Sequence, residues 1–188
     1  MKWLVLVGVI GVAIAGFARP AAAQDVKRVE VAGGWNYMAA RSNDDNDWTH
    51  FLKGWFGEVA GGLNSRWSIV GQVSGGYKTI LDNEGAFKLK VHPYLFGVRA
   101  SARRNPKTTP FAHFLVGATN IKVSLASESV SDTLFTWQAG GGVNVKINDS
   151  VGARIGGDYV RIKGTDDSEI VSEAIQVIRL SVGVVVGF

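Results

Sequence analysis

The chain contains no cysteine. That excludes a disulfide-stapled scaffold, a thiolate metal site, a cysteine nucleophile and a lipoprotein anchor. Prolines number 4 and histidines 3 in 188 residues. Charge is also sparse: 20 basic against 16 acidic residues leave +4, too little to argue for nucleic acid without a clustered patch. Past the first twenty residues no apolar run approaches the roughly 20 residues of a transmembrane helix, and helical periodicity is absent. Glycine is plentiful, with 24 residues and neither a collagen period nor low complexity. The length suits one domain with a real core.

Met1-Lys2 precedes an uncharged stretch, residues 3–18, and Arg19-Pro20 then leads into Ala21-Ala22-Ala23-Gln24. A basic start, an apolar run and a small-x-small site make a secretory signal peptide. Cleavage is expected after Ala23, with Gln24 as the other candidate. An uncleaved anchor is disfavoured because 16 apolar residues fall short of the roughly 20 that span a bilayer as a helix. Residues 1–23 therefore read as an address and residues 24–188 as the exported domain.

That domain alternates with a period of two. Counting back from Phe188, Val186, Val184, Val182, Leu180 and Ile178 share one face, and Gly187, Gly183, Ser181 and Arg179 lie on the other. Such alternation is a strand with one greasy and one tighter, wetter face. Val31, Trp35 and Tyr37 oppose Glu30, Gly34 and Asn36; Phe51, Trp55 and Val59 oppose Gly54, Glu58 and Gly62. Trp67, Ile69 and Tyr77 oppose Ser68, Gln72 and Ser74; Phe135, Trp137 and Val143 oppose Gln138, Asn144 and Lys146; Ile155 and Tyr159 oppose Arg154 and Asp158. Two further runs, 87–102 and 110–123, are strand-like without a clean parity, and Pro93 or a bulge is expected to shift their register. Eight strands result, with connections predicted to alternate short and long. Up-and-down antiparallel pairing follows, and eight such strands close into a barrel without edges.

Which face points inward decides the class. Glycine crowds the polar set, which suits a narrow interior better than a solvated surface. Aromatics of the apolar set (Trp35, Tyr37, Trp55, Trp67, Tyr77, Trp137 and Tyr159) gather near strand ends, the pattern of two interfacial girdles on a transmembrane barrel. The competing reading is a soluble lipid-binding barrel with the apolar face inside.

A cleaved leader, eight strands and a last strand ending on phenylalanine resemble the small OmpA-like and OmpX-like outer-membrane barrels. The resemblance covers residues 29–188. It implies an all-β, eight-stranded antiparallel up-and-down transmembrane β-barrel, export through the periplasm, and contact with outer-membrane lipids including lipopolysaccharide. It further implies that Val182, Val184, Val186 and Phe188 form the signal read by the outer-membrane assembly machinery. The resemblance is to the barrel alone, so cell-wall tethering by a peptidoglycan-binding domain is not implied.

Glu30, Glu58, Arg154, Asp158 and Arg179 fall on the inward face, with Lys146 and Gln138 near them in type. Charges in a narrow interior are costly unless paired. A Glu58–Arg154–Arg179 network is therefore predicted, with Asp158 or Glu30 joining it, acting as a packed plug rather than a gate. The long connections carry eleven of the 16 acids, among them Asp44, Asp45, Asp47, Asp166, Asp167 and Glu169. These are expected to be solvated extracellular loops, with divalent bridging to lipopolysaccharide or a basic partner as the functional alternative. Asp44-Asp45-Asn46-Asp47 lacks the glycine and distal glutamate of a calcium loop. None of His50, His92 and His113 has a serine two residues away, and no G-x-S-x-G elbow is present. No catalytic residue, metal site or cofactor is therefore expected. The sequence points to a monomeric, non-enzymatic protein with a structural or surface-interaction role. A small pore is the first alternative and a lipid-modifying enzyme the second.

Overall fold

The computed structural model describes residues 29–42, 48–82, 85–102, 107–125, 128–164 and 174–187. The signal peptide assigned to residues 1–23, Phe188 and most of the acidic loop residues lie outside these. Eight strands follow in order: β1 (Val29–Ser42), β2 (Thr49–Gly62), β3 (Trp67–Asp82), β4 (Gly85–Ser101), β5 (Thr108–Leu125), β6 (Glu128–Lys146), β7 (Val151–Ile162) and β8 (Ile175–Gly187). Each pairs antiparallel with the next, and β8 returns to β1 from Glu30↔Gly187 to Ser42↔Ile175, closing the barrel. No helix occurs among the described residues.

The period of two places the side chains as the pleat requires. On β8, Val177, Arg179, Ser181 and Val185 are buried, whereas Ile178, Leu180, Val182 and Val184 are 45–53% exposed. β4 and β5, expected to be irregular, keep perfect alternation. Leu95 and Arg99 face inward against Tyr94, Phe96 and Val98 outward, and Phe111, His113 and Leu115 face inward against Ala112 and Phe114. Pro93 costs ladder pairing to β3 but no register, since Val73↔Tyr94 and Gly76↔Val91 continue one alignment around it. Apolar residues stand on both faces of these strands, so hydropathy hides the pleat.

The irregularity lies elsewhere, between β1 and β2, where the register jumps from Asn36↔Gly54 to Met38↔Phe51. An extra residue reverses the face of everything beyond it. Phe51, assigned to the outer set with Trp55, is consequently inside and buried.

The connections also depart from strict alternation. Residues 63–66, 102–107 and 147–150 link strands at one end. At the other end, β1–β2 and β7–β8 are separated by residues 43–48 and 163–174, but β3–β4 and β5–β6 are joined only by residues 83–84 and 126–127. Their strands run on through sequence of mixed polarity, and Asp82, Glu128 and Asp132 belong to strands rather than loops. This end is called the loop end below, and the other the short-turn end.

Two short turns share one device. Asn64 Oδ1 accepts the backbone N–H groups of Arg66 and Trp67, both at 2.9 Å. Asn148 Oδ1 accepts those of Ser150 at 3.0 Å and Val151 at 2.8 Å. Asparagine suits this role because its side chain mimics a backbone acceptor two residues on. Asn148→Ala is expected to cost about 1 kcal/mol of barrel stability, read as a lowered urea midpoint in detergent micelles.

Candidate functional site: a filled interior and an apolar wall

The interior is built in layers. In the short-turn half, Glu58 on β2 shares Oε1 between Arg99 Nη2 on β4 and Arg154 Nη1 on β7. Its Oε2 accepts from Gln72 Nε2 at 3.3 Å. Glu30 Oε2 stands 3.6 Å from Arg99 Nη1 and 4.0 Å from Arg154 Nη2. Arg154 Nε donates to Asn144 Oδ1 at 2.8 Å. The Phe111 ring packs against both guanidiniums, 4.7 Å from Arg99 and 4.9 Å from Arg154, so its negative π-face meets cations withdrawn from water. Two carboxylates thus face two guanidiniums.

Beside this cluster sits a second. Asp158 Oδ2 accepts from Arg179 Nε at 3.0 Å and Nη2 at 2.6 Å. Its Oδ1 lies 2.6 Å from His113 Nε2, which makes that ring nitrogen the donor. Gln138 Nε2 abuts the same nitrogen at 3.1 Å, and Arg179 Nη1 donates to Ser74 Oγ at 3.4 Å. Gly140, opposite Asp158 in the β6–β7 ladder, makes room for the carboxylate; a Cβ there would overlap it.

All five predicted interior residues point inward, but their partners differ from the expected network. Arg179 pairs with Asp158, directly opposite it in the β7–β8 ladder, rather than with Glu58. Glu58 instead takes Arg99, which the sequence reading missed along with His113. Both lie on strands whose parity was unassigned. Arg99 is the only charged residue between Val91 and Ala100, and that isolation was the available signal. Lys146 is exposed at its turn, 2.8 Å from Asp149.

The space left between the clusters is a cavity of about 10 Å³ bordered by Glu58, His113, Arg154, Asp158 and Arg179, room for about one water. Toward the loop end the lining turns apolar: Met38, Phe51, Ile121, Leu134, Ile162 and Val177 pack into one buried cluster. An interior polar throughout was expected; below this layer the charge clusters share it with two smaller buried apolar clusters, Ala60, Val70, Leu95 and Leu115, and Ala32, Phe56 and Val185.

On the outer wall six of the seven chosen aromatics, all but Trp67, lie toward the loop end of the apolar band. Trp35 Nε1 donates to the Leu52 carbonyl at 2.9 Å, and the Tyr37 hydroxyl lies 2.6 Å from His50 Nδ1. Trp55 Nε1 donates to the Tyr77 hydroxyl at 3.0 Å, which lies 3.2 Å from His92 Nε2. Trp137 packs between Phe114 and Tyr159, with ring centroids 6.1 and 5.6 Å away. Trp67 opens β3 at the opposite end. Two girdles were expected; among the described residues these seven aromatics place one at the loop end and Trp67 alone at the other. Val182 and Val184 face outward, Val186 is half-buried, and Phe188 lies outside the described residues.

An apolar outer band around a charged, packed interior inverts the polarity of a soluble barrel, and with eight closed antiparallel strands it defines a transmembrane β-barrel. On β8 the band runs from Ile178 to Val186, close to the roughly 9–11 residues that cross a bilayer at a tilt. The chain belongs to the outer membrane protein β-barrel domain family, which matches residues 9–188, and membership implies an outer-membrane location. The fold is shared with Neisserial surface protein A (TM-score 0.70, 15% identity, 89% of this chain and 100% of that one). It is shared also with Ail, the attachment invasion locus protein of Yersinia pestis, in complex with the heparin analogue sucrose octasulfate (TM-score 0.60, 14% identity, 85% and 97%). OprG of Pseudomonas aeruginosa is a third (TM-score 0.54, 11% identity, 85% and 95%). Among curated protein sequences none matches the chain.

Proposed function

We propose that this protein is a non-conducting, non-enzymatic, monomeric barrel of the outer membrane that serves a structural or surface-interaction role through its loop end. The observation that carries this reading is the filled interior. Two internally paired charge clusters occupy one half, the pocket between them has room for about one water, and a buried apolar cluster lies toward the loop end. An ion crossing that layer would be stripped of water without a partner.

The histidines support the absence of catalysis. His50 and His92 are each engaged by a tyrosine, and His113 is sealed inside against Asp158. With both termini at the short-turn end, the family arrangement turns the acidic connections outward, to bind cations bridging to lipopolysaccharide or to repel aggregation. Val182, Val184, Val186 and Phe188 are assigned to the assembly machinery on their period of two in the sequence, of which Val182 and Val184 face outward. Among the fold neighbours, two are by name a surface protein and an attachment protein, consistent with a surface role.

Planar-bilayer recording tests the reading. Wild-type barrel is expected to give no discrete openings, and Arg179→Ala is expected to stay closed because the apolar layer remains. Reproducible wild-type openings whose conductance changes in Arg179→Ala would establish a channel and overturn the proposal.

A further inference from the structure

At the loop-side edge of the aromatic girdle, the outer wall changes from apolar to basic along one row of paired strands. Lys53 on β2 stands opposite Tyr77 on β3, Tyr77 opposite Lys90 on β4, and Lys90 opposite Lys122 on β5. At about 4.8 Å per strand the row spans about 14 Å. All three lysines are exposed, and no ion pair joins them to an acid among the described residues. Lys90 and Lys122 occupy directly facing positions, where like charges destabilise a sheet. A fold that keeps such a pair on its wall is suited to an anion between them. Lys88, two residues further along β4, adds a fourth cation on the same face.

What lies beneath the row narrows the anion's identity. Toward the short-turn end, the same strands present Trp55, Tyr94, Phe96 and Phe114 outward, with Phe96 64% exposed. Hydrocarbon laid on these rings brings its headgroup level with the lysines. The Tyr77 hydroxyl, already linked to Trp55 and His92, supplies a polar group between Lys53 and Lys90. A free anion would find the cations but leave the apolar wall unused.

We propose that Lys53, Tyr77, Lys90 and Lys122 bind the phosphates of a multiply phosphorylated lipid headgroup in the leaflet at the loop end, one phosphate between Lys90 and Lys122 and another near Lys53 and Tyr77. The site rests on the membrane-seated barrel described above and gives its lipid contact specific residues.

Native mass spectrometry of the whole barrel, released from phosphatidylcholine nanodiscs doped with bisphosphorylated lipid A, tests it. Wild type is expected to retain bisphosphorylated lipid A at least tenfold better than dephosphorylated lipid A or phosphatidylglycerol. Lys90→Gln with Lys122→Gln abolishes that preference, and Lys90→Arg with Lys122→Arg keeps it. Equal retention of the three lipids, or a Gln variant that behaves as wild type, overturns the site. Inorganic phosphate that displaces the lipid at equal concentration overturns the assignment to a lipid. Barrel that shows no heat-dependent gel shift and stays out of the nanodiscs overturns the membrane reading itself, a failure separate from loss of lipid selectivity.

Discussion

Glu58→Ala is expected to lower the unfolding free energy of the barrel by about 3–5 kcal/mol, the cost of breaking a buried ion pair by removing one partner. The direction follows from what stays behind. Arg99 and Arg154 both donate to the Glu58 carboxylate and are 1% and 2% exposed, and arginine cannot discharge by losing its proton. Glu30 faces both guanidiniums, but only at 3.6 and 4.0 Å. Two cations would therefore stand in a poorly hydrated space with one distant carboxylate. Urea titration of refolded barrel, followed by the loss of the unboiled gel band, reads the change. Replacing Glu30, Glu58, Arg99 and Arg154 together by apolar residues of similar volume is expected to be near neutral, because the cost of burying the charges disappears with them. An alanine variant within 0.5 kcal/mol of wild type would contradict the shared-carboxylate arrangement.

Asp158→Ala is expected to cost a similar amount, about 3–5 kcal/mol, because it strands Arg179 and removes the acceptor for His113 at one stroke. The decisive feature is which second change rescues it. Arg179→Met added to Asp158→Ala should recover part of the loss, since residues in contact couple by about 0.5–3 kcal/mol. The same Arg179→Met added to Glu58→Ala should cost more stability, because it leaves Asp158 without its arginine. A single network joining Glu58 to Arg179, as the sequence suggested, would give the opposite result. The same urea titration, run on the four variants, separates the two arrangements.

That contrast shows where the sequence is legible and where it stops. Strands such as β8 and β7 advertise their pleat, because apolar residues crowd one face and glycine, serine or charge the other. From such strands the closed barrel and the inward placement of Glu58, Arg154, Asp158 and Arg179 can be read directly. β4 and β5 carry large apolar residues on both faces, since their outer side meets the apolar band and their inner side helps fill the barrel. Arg99 and His113 disappear into that background. Partner choice is a separate problem. Asp158 and Arg179 meet because the β7–β8 register sets them opposite, and Glu58 meets Arg99 through the interior. Local alternation contains neither fact. The same limit explains Phe51, whose face depends on one extra residue in a neighbouring pairing. It also explains the underestimated strands, because beyond the band the outer face is no longer apolar and the pattern resembles a solvated connection.

The unequal strands give the loop end two different halves. β3 to β6 have 16, 17, 18 and 19 residues, whereas β1, β2, β7 and β8 have 14, 14, 12 and 13. At about 3.3 Å per residue, the four additional residues on the long side amount to about 13 Å of strand. One side of the rim is therefore a palisade of paired backbone, and the other ends in connecting chain. A ligand docking on the palisade meets a surface whose shape is already fixed by ladder hydrogen bonds, so little ordering entropy opposes its capture. Engineered insertions face the reverse logic: the β1–β2 and β7–β8 connections can lengthen at slight entropic cost, whereas the palisade would have to surrender pairing to accept them.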